Sequence, residues 1–241
     1  MEFTPFQMFG PQHMLTIFAT FGIALIVPYY FKNSDEETKK IAGISISVII
    51  AYQLITQAFT TFTFNLPWQE ALPLHMCDMS AMAIMIYLFN RKKVFFNCAF
   101  FWGLGGASMA ILTPDVLFEF PEQQYLPFFV IHGSILLGVF YACIALNQRP
   151  FLADVHKVIF ITIICMGIIY VLNLLLGEGA NFWYLLKKPE AGSIMDVFPE
   201  PPFHLLITTP IGIVLFYLIY SPLLIKDLLA RRSLILSLIH I

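Results

Sequence analysis

Apolar runs of about 20 residues, the length an α-helix needs to cross a bilayer, recur along the whole of this chain. The seven runs are His13–Phe31, Ile41–Thr60, Leu72–Phe89, Val94–Thr113, Leu126–Leu146, Val158–Leu176 and Phe203–Ile225. The gaps between them hold Lys, Asp, Glu, Asn, Pro and Gly, as turns at a membrane surface should. The pattern predicts an all-α, polytopic membrane protein folded as a seven-transmembrane-helix bundle. Composition points the same way: 59% of residues are hydrophobic and 12% charged, against about 45–50% and about 25% in a soluble domain. No Gly/Ser/Pro-rich linker divides the chain, so residues 1–235 read as a single transmembrane domain. Residues 236–241, L-S-L-I-H-I, read as a non-native tail translated from a sequencing adapter, which removes His240 from any site. The first run has no basic residue before it and no small-residue cleavage site, which argues against a removable signal peptide.

Basic residues set the expected orientation. Lys32, Lys39 and Lys40 lie between the first two runs, and Arg91, Lys92 and Lys93 between the third and fourth. Arg149 and Lys157 flank the loop after the fifth run, and Lys226, Arg231 and Arg232 follow the last. The opposite loops hold only Lys187 and Lys188. The positive-inside rule then puts the N-terminus outside and the C-terminus in the cytoplasm. A formal charge of -2 gives no basis for a nucleic-acid partner or a polybasic membrane patch.

Asp78 is the only Asp, Glu, Lys or Arg well inside any of the apolar runs, in L-P-L-H-M-C-D (Leu72 to Asp78). A charge in hydrocarbon is expensive and is usually kept for function. His75 and Cys77 stand beside it. With about 1.5 Å of rise per residue, a helix entering at Leu72 puts Cys77 and Asp78 about 8–9 Å below its outer end. The same arithmetic puts His132 about 9 Å down, Gln53 about 10 Å, and Gln57 and Asn173 about 4–5 Å. Gln53 and Gln57 are i, i+4 and share a face. His13 and His204 sit at the outer mouths of the first and last runs. These polar groups converge on one layer, where they must face each other or a wet cavity.

The other cysteines, Cys98, Cys143 and Cys165, lie away from this layer, and no pair has zinc or redox spacing. On a continuous helix Cys77 points about 200° away from His75, so His132 is the better-placed base for it. A thiol next to an imidazole is a competent nucleophile. Equally, a lone intramembrane Cys is often packing, and a lone His or Gln often joins helices. A metal site of His75, Asp78 and His132 matches no standard ligand spacing, and no feature asks for a nucleotide, flavin or haem, so no cofactor is expected. Gln57, Asn173 or Asn181 are candidate oxyanion donors. Tyr184, Lys187 and Lys188 are candidate head-group contacts with His13 and His204, although an interfacial aromatic belt with solvated lysines explains the loop as well. Gly103, Gly105, Gly106, Ala107 and Ala110 suit close helix packing.

The chain resembles the YwaF-type bacterial integral membrane proteins, which are related to eukaryotic transmembrane protein 164. The resemblance runs from F-G-P-Q-H-M (Phe9 to Met14) through L-P-L-H-M-C-D and G-L-G-G-A-S-M-A-I-L-T-P-D (Gly103 to Asp115). It continues through H-G (His132, Gly133), the stretch from Asn173 to Pro189 with G-A-N-F-W-Y-L-L-K-K-P, and P-E-P-P-F-H (Pro199 to His204). Phe182 and His204 depart from the tyrosines common in the family at those places. The eukaryotic branch is associated with acyl transfer between membrane phospholipids through a cysteine and a histidine. The resemblance therefore implies Cys77 as acyl acceptor, His132 as general base, phospholipid or lysophospholipid partners, and a bacterial cytoplasmic membrane. A lipid acyltransferase or acyl hydrolase is the leading expectation. A transporter using the same polar layer, and a non-catalytic scaffold or sensor, are the alternatives. Nothing in the sequence fixes an oligomeric state.

Overall fold

A computed structural model describes residues 4–188 and 197–239, with residues 231–239 described by backbone alone. His240 and the middle of the long loop, residues 189–196, lie outside the described residues. Among the described residues the regular elements are all helices, and seven helical segments are long and apolar enough to cross a membrane. The helices are α1 (Pro11–Phe31), α2 (Glu36–Thr63), α3 (Met76–Asn90), α4 (Lys93–Trp102), α5 (Ser108–Leu112), α6 (Tyr125–Ile144), α7 (Leu152–Leu176) and α8 (Leu205–Ile239). α4 and α5 form one span, joined by a π-helical turn over Gly103–Ala107.

Local chemistry explains the ends. Pro11 opens α1, where its missing N–H is harmless. The Asp35 carboxylate caps α2 by accepting from the Thr38 N–H and hydroxyl, each at 2.8 Å. These bonds hold the Asp35 carboxyl below its ordinary pKa. Arg91 ends α3 in the left-handed conformation, with φ 58°. Asp154 accepts from the Phe151 N–H at 2.9 Å and caps α7. That cap starts α7 at Leu152, earlier than the apolar pattern alone suggests, because the polar stretch from Ala153 to Lys157 is helical too.

The third span is the substantive correction. A continuous helix from Leu72 is expected; instead a 3-10 turn (Trp68–Ala71) is followed by an extended Leu72, and the α-helix begins only at Met76. Pro73 is the reason: it disfavours helix in the residue before it. Cys77 and Asp78 thus lie in the first turn of α3, and His75 is its N-cap. The depth arithmetic for these residues and the 200° separation of His75 from Cys77 both fail, since His75 has ψ 154°.

α6 is the hub, packed on α1, α2, α3 and the π turn. Close approach is built in: a Cβ at Gly138 would lie 2.7 Å from Ile84 Cγ1, and one at Gly133 2.8 Å from Thr20 Cγ2. α7 and α8 form an outer pair packed on each other, reaching the rest through α4 and the π turn. The buried core runs through α3, α4 and α6, where Tyr87, Phe96, Phe101, Ile135 and Tyr141 are sealed.

Candidate functional site

A cavity of about 1150 Å³ occupies the end of the bundle where α3 begins. Every span except α1 contributes to its wall. Most lining groups are apolar, among them Phe101, Met109, Ile131, Met166 and Phe216. The polar groups on the wall include Gln53, Gln57, His75, Cys77, Asp78 and His132. The structure therefore brings together, around one space, side chains from α2, the start of α3 and α6.

Asp78 is buried and accepts a 3.0 Å hydrogen bond from the His75 N–H. A carboxylate at a helix N-terminus also meets the positive end of the helix dipole. This accounts for the one acid inside an apolar run: it starts the helix that carries Cys77. Gln57 of α2 lies beside the same carboxylate. His75 packs edge-on to Phe182, with ring centroids 5.0 Å apart, and its Nε2 is 3.8 Å from Glu70 Oε2.

Cys77 is half-buried. Its neighbour across the bundle is the π turn, where a Cβ at Gly106 would sit 3.8 Å from Cys77 Sγ. Neighbouring glycines face other ways: Gly103 meets Ser80 and Ile135, and Gly105 meets Leu215 of α8. A π turn shifts the register of the residues after it, and such turns are frequent at functional sites. Cys77 is at the second position of α3, so its N–H and that of Met76 have no partner within the helix. Met76 and Cys77 both line the cavity.

His132 is buried, with Nδ1 2.6 Å from the Phe128 carbonyl oxygen. A carbonyl only accepts, so the neutral ring carries its proton on Nδ1 and leaves a lone pair on Nε2. No hydrogen bond joins His132 to Cys77 in this structure; the two line the same space. Among the described residues, no three His, Cys, Asp or Glu side chains form a group that could hold a metal ion.

Several polar residues at the expected depth do not line the cavity. Asn173 is sealed, and its amide donates to the Phe182 carbonyl and accepts from the Phe182 N–H, both at 2.9 Å. Asn181 closes a loop on the backbone of Leu186 and Lys187. His204 donates from Nε2 to the Tyr184 carbonyl at 2.9 Å. His13 accepts from the Phe9 N–H on Nδ1 and donates from Nε2 to the Ile111 carbonyl, both at 2.9 Å. Lys188 binds the Phe198 carbonyl and the Glu200 carboxylate, at 2.7 and 2.8 Å, and Lys187 is exposed. The first four anchor backbone through these bonds, while His204 Nδ1 is buried without a hydrogen-bond partner among the described residues.

What they anchor is itself part of the wall. Trp183 and Tyr184 line the cavity and both have positive φ, 59° and 51°. Left-handed backbone is unfavourable for such residues, so the segment needs external ties. It has them in His204, in Asn173 and in the Trp183 indole, which donates to the Leu74 carbonyl at 2.9 Å. Tyr184, along with Phe182, packs on His75. Burial, then the charges of Asp115 and Glu70 and the nearby Cys77, keep the Tyr184 phenol above its ordinary pKa. Glu70, Asp115 and Gly106 also line the cavity without a sign in the sequence: each looks like ordinary loop or packing sequence until the chain folds back.

The fold and this cavity define a multi-pass helical membrane protein with a chamber between its spans that is lined by apolar side chains and a set of polar ones. The chain belongs to the TMEM164 family, whose model matches residues 8–220. It is also similar to an uncharacterized protein of Treponema pallidum (strain Nichols), 35% identical over 49 residues, an alignment spanning 20% of each chain. No solved structure matches it.

Proposed function

We propose that the protein is a lipid acyltransferase or acyl hydrolase in which Cys77 is the nucleophile and His132 the general base. The observation that carries this reading is the shared chamber: a thiol at a helix N-terminus and an imidazole with a free Nε2 face one space whose walls suit an acyl chain. His132 Nε2 takes the thiol proton as Sγ attacks the ester carbonyl of a phospholipid. The oxyanion donors in this scheme are the first-turn N–H groups of Met76 and Cys77, which have no partner within the helix, with Gln57 as a further donor. Collapse of the tetrahedral species breaks the ester C–O bond. The leaving lysolipid oxygen receives the proton from His132, and the acyl group remains on Cys77 as a thioester. A second lysolipid hydroxyl or a water then attacks the thioester, His132 again taking and returning the proton. Asp78 holds the first turn of α3, and with it the Cys77 backbone, in place.

Asn173, Asn181 and His204 act as positioning residues in this scheme, through the Trp183–Tyr184 segment. By the distribution of basic residues the chamber faces the outer leaflet of the membrane. The test is transfer of an acyl group from phospholipid to deuterated lysophospholipid by purified protein. Wild type should produce deuterated phospholipid or free fatty acid. Cys77→Ser should abolish turnover, and His132→Ala should lower it by about 10²–10⁴-fold, the usual contribution of a general base. Turnover at the wild-type rate in Cys77→Ser would overturn the mechanism. Substrate movement across the membrane that survives Cys77→Ser would favour a transporter instead.

A further inference from the structure

At the other end of the bundle, α2, α3 and the segment after α6 enclose a smaller pocket of about 230 Å³. It lies roughly 20 Å from Cys77, the length of α3 at 1.5 Å per residue. Its charged lining groups are Glu36, Lys39 and Arg91, with Tyr87 and Gln148 beside them. We propose that this pocket binds a phosphate group, carried by an anionic lipid head group or by a soluble phosphate.

The positive groups are held in place. Arg91 stacks over the Tyr87 ring, 5.7 Å from its centroid. On the other side it lies against α2 at Gly43, where a Cβ would be in ordinary contact with it, 3.8 Å from Arg91 Nη2. Its left-handed backbone, locked by the Arg91 N–H to Tyr87 carbonyl bond at 2.8 Å, turns the chain out of α3 at this place. Among the described residues, no carboxylate pairs with Arg91. The Lys39 side chain is only 12% exposed, and the Tyr141 hydroxyl ties the Lys39 carbonyl at 2.6 Å. Lys39 pairs with Glu36 at 3.2 Å, but Glu36 is 89% exposed, so that i, i+3 pair is weak and exchangeable. A guanidinium fork matches a phosphate bidentately and the ammonium adds a point charge. Basic pockets between transmembrane helices are a recurrent way of holding anionic lipid head groups. One acid against two bases leaves the pocket a net attractor for anions.

Native mass spectrometry of the detergent-purified protein, with phosphatidylglycerol and phosphatidylcholine added in equal amounts, tests this directly. Wild type should retain phosphatidylglycerol preferentially. Arg91→Gln and Lys39→Gln should each weaken retention about tenfold, the loss of one charge-assisted contact. Glu36→Gln should strengthen it, and Lys226→Gln, outside the pocket, should leave it unchanged. Inorganic phosphate supplies the second arm. If it raises the melting temperature of wild type but not of Arg91→Gln, and phosphatidylglycerol shows no preference, the ligand is a soluble phosphate. The proposal fails if neither probe separates wild type from both Arg91→Gln and Lys39→Gln, or if Glu36→Gln weakens binding. Circular dichroism and melting of the two variants exclude misfolding as the cause, since two independent residues must give the same loss.

Discussion

The two ends of the bundle hold themselves together by different chemistry. At the end remote from the chamber, helices are tied by opposite charges: Lys93 to Asp154 at 3.2 Å, and Arg149 to Asp227 through two parallel contacts. At the chamber end, apart from the Lys188–Glu200 pair, the ties are mostly neutral side chains on backbone: Gln12 on Phe120, His13 on Ile111, Gln69 on Leu176 and Glu178, Asn173 on Phe182, and His204 on Tyr184. The difference follows from what each end has to fix. Regular helices already satisfy their own backbone and need only be held side by side. The chamber end is the more irregular, with left-handed residues at Phe9, Asn65, Trp183 and Tyr184 against Arg91 and Asn147 at the other end, and its unpaired backbone groups must find side chains. The wall around the reaction space is thus tied mainly by amides and imidazoles on backbone, with the Lys188–Glu200 ion pair in the loop above it.

That contrast can be broken at both ends, and the largest effect is expected at the chamber. Asn173→Ala leaves the N–H and the carbonyl of Phe182 unsatisfied in a sealed site. At about 1–3 kcal/mol for each such group, stability should fall by about 2–6 kcal/mol, read as a lower melting temperature in detergent. Activity should fall with it, because Trp183 and Tyr184 lose their tie. At the other end, Arg149→Gln removes a half-exposed ion pair, with side chains 30% and 38% exposed. The expected loss is about 1 kcal/mol or less, and it should shrink further in high salt. Equal losses for the two variants would contradict the division.

The smallest effect is at Asp35. Its folded-state pKa is depressed by the Thr38 N–H and hydroxyl. A depressed carboxylate stabilises the fold above its unfolded pKa and loses that contribution as pH falls through the folded one. Asp35→Ala should therefore melt slightly below wild type at neutral pH, and the gap should close as the solution is acidified below the ordinary carboxylate range. A gap that persists at acidic pH would mean that the cap acts by some other route.

The spans were legible because length and apolarity alone decide whether a helix can cross a bilayer. Their inner detail was less so. The apolar run beginning at Leu72 suggests a helix from its first residue, whereas Pro73 holds Leu72 extended and the helix begins at Met76. The π turn was visible only as a run of small residues, since nothing in Gly103–Ala107 distinguishes tight packing from a shifted hydrogen-bond register. Of the polar groups singled out by depth, Gln53, Gln57, His75, Cys77, Asp78 and His132 line the chamber, while Asn173 and His204 turn to nearby backbone. Helical rise gives a residue's height but not its partner. An amide at the height of the chamber serves the chamber or the loop above it according to how that loop folds back, and short-range spacing carries no sign of that.

The central claim is that Cys77 carries an acyl group in the course of the reaction. Intact-protein mass spectrometry after incubation with mixed phospholipids, on wild type, Cys77→Ala and His132→Ala, tests it most directly. The account expects a hydroxylamine-labile acyl mass on wild type, none on Cys77→Ala, and little on His132→Ala. An adduct of the same size on Cys77→Ala, or acyl transfer by a wild-type protein that never carries one, would contradict it.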